Sequence, residues 1–77
     1  GQAASRTLSP EQRFVPLTRI LSIASQAVPG EVISVELDDD EADDVPEYEV
    51  KILTPQGRMI EVEIAARTGK ILQIEDD

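Results

Sequence analysis

The sequence predicts an α+β domain, with one main helix packed on a four-stranded antiparallel β-meander. Three observations lead there. The apolar residues recur with a helical period up to Gly30 and with a period of two beyond it. Four short segments after Gly30 alternate apolar with polar residues. Two of the gaps between those segments, PQG and RTG, suit three-residue hairpin loops that close on a left-handed Gly.

Residues 1–15 are expected to form a mobile N-terminal segment with a short helical turn. Ser9, Pro10 and Gln12 give a helix start, with Ser at the N-cap, Pro at the first helical position and Gln at the third. Pro16 interrupts that turn, because a Pro inside a helix removes a hydrogen bond and clashes with the preceding turn. The domain itself is expected over 16–77, with its main helix starting near Pro16. Leu17, Ile20, Leu21, Ala24, Ala27 and Val28 fall at i, i+3, i+4, i+7 spacing and form one apolar stripe. Arg19, Ser22, Ser25 and Gln26 make the wet side. Pro29 and Gly30 end the helix.

In the first strand segment, EVISVEL, Ile33, Val35 and Leu37 alternate with Val32, Ser34 and Glu36. The second, YEVKIL, sets Tyr48, Val50 and Ile52 against Glu49, Lys51 and Leu53. The third, MIEVEIA, sets Ile60, Val62 and Ile64 against Glu61, Glu63 and Ala65. The last, KILQIE, sets Leu72 and Ile74 against Ile71 and Gln73. Closing the first loop with Thr54 opposite Arg58 places Ile52, Val50 and Tyr48 opposite Ile60, Val62 and Ile64. Closing the second with Ala66 opposite Lys70 places Ile64 opposite Leu72 and Val62 opposite Ile74. Both loops thus put one apolar set on one face, and a one-residue slip would break the agreement.

The composition narrows function. The 77 residues carry a formal net charge of −9 and contain neither His nor Cys. Without them, the commonest general base and the thiolate nucleophile are missing, and an enzyme is not expected. No base stands at a recognisable spacing from Ser22 or Ser25, and no Gly-rich phosphate loop is present, so no cofactor is expected. Residues 1–30 carry three Arg against one Glu, while residues 31–77 carry four Lys or Arg against fifteen acids. Such an acidic half repels nucleic acid and anionic membrane surfaces. No run of about 18 apolar residues exists to span a bilayer. The opening GQAAS has neither the charged nor the apolar region of a signal peptide, so a mature form or a chain without one is expected.

Taken together, several residues resemble those of a PepSY domain over about Pro16 to Glu75. They are Ala24 and Ala27-Val28-Pro29-Gly30 at the helix end, Tyr48-Glu49-Val50 in the second strand, and Thr68-Gly69-Lys70-Ile71-Leu72 at the last hairpin. None belongs to a catalytic motif. The resemblance implies a small stand-alone bacterial module, periplasmic or secreted, whose partner is a protein such as a peptidase that it restrains. The family often carries Asp just before the small-x-Thr-Gly turn, where Ala65 stands here. Any cap or cation contact made by that Asp is missing.

Three surfaces are candidates for binding. The face away from the helix holds Glu36, Glu49, Glu61 and Glu63, with Glu49 expected opposite Glu63 and Glu61 opposite Glu75. Lys51 opposite Glu61 is the favourable pair. Like charges held opposite each other destabilise a sheet, and they would suit a basic partner. The last strand is an expected edge, with Ile71 and Gln73 turned outward, open to a partner strand or to weak homodimerisation. The run LDDDEADDVP carries six acids within Asp38–Asp44. Its Asp38, Asp40 and Asp44 have a loose cation-ligand spacing for weak divalent binding, but the mid-loop Gly of an EF-hand is lacking. The alternative function is therefore a cation- or cationic-peptide-responsive accessory protein in envelope sensing.

Overall fold

The computed structural model describes residues 13–39 and 45–77. Helix α1 spans Leu17–Ala27 and is followed by β1 (Glu31–Asp38), β2 (Glu47–Leu53), β3 (Met59–Ala65) and β4 (Ile71–Asp76). The strands form one antiparallel sheet in the order β1-β2-β3-β4, as the sequence predicts. The short turn expected at 9–14 lies mostly outside the described residues. Arg13 and Phe14, its two described members, belong to no regular element.

The helix starts where Pro16 allows it. Pro16 is the N-cap residue, and its carbonyl accepts the N–H groups of Arg19 and Ile20. Val28 leaves the helix in an extended conformation. The helix lies across β2 and β3. Between them, Ile20, Ala24, Val50, Ile52, Val62 and Ile64 form a core with no exposed surface. The predicted stripe differs at its margins. Ile23, left out of it, packs on the core, while Leu17 is 47% exposed. Leu17 sits in the first turn of the helix, and Ala27, in its last, is exposed as well.

β2 and β3 pair as the three-residue loop predicts, with Tyr48 opposite Ile64, Val50 opposite Val62 and Ile52 opposite Ile60. Thr54 N–H donates to Arg58 O at 2.8 Å and closes that loop, with Gly57 at φ 83°. The second hairpin departs from expectation. Ala65, not Ala66, closes it, through its N–H to Lys70 O at 2.8 Å. Ala66 is drawn away instead. Its N–H donates to Pro46 O at 2.9 Å, and its carbonyl accepts the Val15 N–H at 2.7 Å. The loop is longer by one residue, so Ile71 takes the place opposite Ile64 that the sequence assigns to Leu72. An irregularity at Leu72 then restores the pairing of Val62 with Ile74. Ile71 therefore packs on the core rather than facing outward, and Leu72 is the exposed residue.

β1 carries a second irregularity, between Val32 and Ser34. Val32 stands opposite Ile52 and Val35 opposite Val50, so both reach the core side. Ile33 is the extra residue. It is exposed rather than aligned with Val35 and Leu37. A β-bulge of this kind adds a residue to one strand and flips the alternation beyond it.

Candidate functional site

The outer face of the sheet is built by the strand residues that alternate with the core set. Pairing arranges them in rows. Glu36, Glu49, Glu63 and Gln73 stand side by side across β1 to β4. The neighbouring row is Ser34, Lys51, Glu61 and Glu75, and a third joins Asp38 to Glu47. Opposed Cβ atoms in such a ladder are about 4.5–5.5 Å apart. The like-charged pairs expected at Glu49/Glu63 and Glu61/Glu75 are both present, as is Lys51 opposite Glu61.

Two clusters condense from these rows. Carboxylate oxygens of Asp38, Glu47 and Glu49 lie within 4.8 Å of one another, and so do those of Glu61, Glu63 and Glu75. Crowding shows in protonation. The Glu49 carboxyl is pushed above its ordinary value by partial burial, then by the charges of Glu61, Asp38, Glu63 and Glu36. The Glu63 carboxyl is pushed up by partial burial, then by Glu47, Glu75 and Glu61, and by a hydrogen bond with Glu47. Lys51 lies 3.6 Å from Asp77, and Arg58 pairs with Asp76. Both contacts sit at the end of β4 and leave the row Glu36-Glu49-Glu63 without a cation among the described residues. This row of anions, with Glu49 and Glu63 half-buried and Glu36 exposed, can accept lysine or arginine side chains.

The other predicted residues fall out as follows. Gln73 is on the outer face, opposite Glu63, and its side-chain amide donates to Glu75. Ile71 is not on that face. Asp38 ends β1 beside Glu47 and Glu49, whereas Asp40 and Asp44 lie outside the described residues. Ser22 is exposed and accepts a hydrogen bond from Gln26 at 3.4 Å. Ala65 is 8% exposed, and its backbone closes the last turn.

Sequence reasoning missed the opposite corner. Phe14 packs edge-to-face on Tyr48 with centroids 6.4 Å apart, and the Arg67 guanidinium stands 5.7 Å from the Phe14 ring centre. Arg13, Phe14, Val15, Pro16 and Arg67 line a shallow depression there. Two arginines thus gather at this corner, while carboxylates crowd the outer face of the sheet. Signals for it were thin, since a lone Phe before a Pro has no period to be read.

Among the described residues no helix is long and apolar enough to cross a membrane. No significant match is found among curated proteins or solved structures. A family model described as peptidase propeptide and YPEB domain matches residues 15–75. Domains of that family are generally non-catalytic and typically extracytoplasmic. With the match spanning most of the chain, and helix and meander in the expected order, the chain belongs to the PepSY family.

Proposed function

We propose that this PepSY domain is a non-catalytic bacterial envelope module, periplasmic or secreted, that docks on a partner protein and restrains it, the partner being a peptidase. The observation that carries the proposal is the row Glu36-Glu49-Glu63, held rigid by three paired strands. Fixed like charges weaken the fold that holds them. They suit an encounter with a basic surface, where complementary charge speeds association and orients it. Such docking weakens as salt is added.

The test starts from the protein immobilised on a column and an envelope extract. The retained partner is identified by mass, and its peptide hydrolysis is measured with and without added domain. A lowered rate with the wild type, restored with Glu49→Lys plus Glu63→Lys in a variant that keeps its circular dichroism, supports the proposal. An unchanged rate with the wild type removes the peptidase, and unchanged binding by the double variant removes the face.

The second reading, a cation- or cationic-peptide-responsive accessory protein, draws on the two carboxylate clusters. Calcium takes six to eight oxygens. A calcium titration separates the two readings. Binding stabilises a fold through linkage, by about 2.7 kcal/mol at a hundredfold excess over the dissociation constant. A melting temperature indifferent to millimolar calcium would leave docking alone.

A further inference from the structure

The sheet has two open edges, β1 and β4. The phase of the ladder tells which groups β4 leaves free. Asp77 N–H donates to Met59 O at 2.8 Å. In an antiparallel ladder, every second pair exchanges both backbone bonds. Glu75 and Gln73 therefore bond to Glu61 and Glu63, and the N–H and C=O of Ile74 and Asp76 point away from the sheet. No strand of the described residues lies beyond them.

On either side of that row the side chains differ in kind. On the core side Ile74, opposite Val62, is 49% exposed, and Leu72, the extra residue of the irregularity two positions before it, is 43% exposed. Behind the sheet, Gln73 and Glu75 continue the acidic rows, with Glu61, Glu63 and Glu75 clustered. An added strand would send alternate side chains to these two sides. The β1 edge fits less well. Its exposed apolar residues, Ile33 and Leu37, are four positions apart and separated along the strand by the partly covered Val35.

We propose that β4 captures an extended segment of a partner protein as a fifth strand, and that this segment alternates basic with apolar residues. Its apolar side chains cover Ile74 and Leu72. Its lysines or arginines meet Glu75, Glu61 and Glu63 behind the sheet. Its backbone takes up the free groups of Ile74 and Asp76. The proposal rests on the acidic face as a docking surface and adds the form of the ligand. A second copy of the chain is the poorer occupant. Pairing β4 with β4 would set two acidic faces edge to edge in a chain of net charge −9.

The experiment uses isotope-labelled protein and a blocked peptide of three Lys-Val repeats at low salt. The expected result is slowed hydrogen exchange at the Ile74 and Asp76 amides, with shifts centred on β4. A peptide of equal composition in block order, and one N-methylated on its bonding amides, should each bind roughly fivefold more weakly or worse. Ile74→Pro removes a donor that faces away from β3, a place where an edge strand tolerates Pro. It should abolish protection at Asp76. Should that variant fail to fold, the N-methylated peptide tests the same bonds without changing the protein. Equal binding of all three peptides, shifts centred on β1, or no binding of the alternating peptide overturns strand capture. Dimerisation of the protein through β4 in sedimentation overturns it too. The acidic face stands or falls separately, by partner binding of Glu49→Lys plus Glu63→Lys.

Discussion

The two faces of this sheet come from the same strands and obey opposite rules. On the helix side, Val50, Ile52, Val62 and Ile64 are wholly buried. On the outer side, the residues between them are glutamates and one lysine, stacked in rows whose members repel. One face stabilises the domain, while the other works against it and supplies a surface charge that packing does not need. A domain this short buries only about 60% of the surface its unfolded chain exposes. Repulsion behind the sheet is therefore drawn from a small reserve, which suits a surface kept for binding.

Substitutions that strike one face and spare the other sharpen this contrast. Ile64→Ala empties the centre of the core and should cost about 2–5 kcal/mol, read by urea denaturation. That is a large part of the roughly 5 kcal/mol at the low end for native domains. Gly30→Ala should cost about 1–3 kcal/mol. The added Cβ would lie 2.5 Å from Leu53 O and 2.7 Å from Ile52 Cγ2, and the carbonyl has nowhere to go. Phe14→Ala and Arg67→Ala, alone and together, should show a coupling of about 0.5–1 kcal/mol in a double-mutant cycle, since the guanidinium is exposed.

The outer face gives the smallest effect, and its sign is reversed. Glu49 and Glu63 hold their protons more tightly folded than unfolded. The stability they take away is restored as pH falls through their raised folded values toward the ordinary carboxylate range. Melting temperature should therefore rise on mild acidification from neutral pH, and the rise should shrink in Glu63→Gln. That variant should gain roughly 0.2–1 kcal/mol at neutral pH. A melting temperature that only falls on acidification would mean that the rows do not repel.

Legibility in the sequence followed the range of the forces involved. PQG is a local instruction, and the β2–β3 register read from it holds at Tyr48/Ile64, Val50/Val62 and Ile52/Ile60. The rows Glu49/Glu63 and Glu61/Glu75 were legible for the same reason. RTG carries a similar instruction, but Ala66 is taken by Pro46 and Val15, partners distant in sequence. No local pattern announces that. Leu72 and Ile71 exchange roles as a result, so the edge presents a different apolar residue from the one expected. In β1 the alternation of Ile33, Val35 and Leu37 looked regular, yet the bulge brings Val32 to the core. Val28, at the end of the helix, joins that same core.

Ala66 has a consequence for the order in which the domain is completed. Its two backbone bonds join Val15, two residues ahead of the helix, the approach to β2 and the last hairpin. A chain made or exported from its N-terminus releases the helix long before Ala66. Until then the helix lacks this tie to the last hairpin, and its seat on β2 and β3 is open to competitors. A peptide copying 13–30, added during refolding, should compete for that seat and slow the final step.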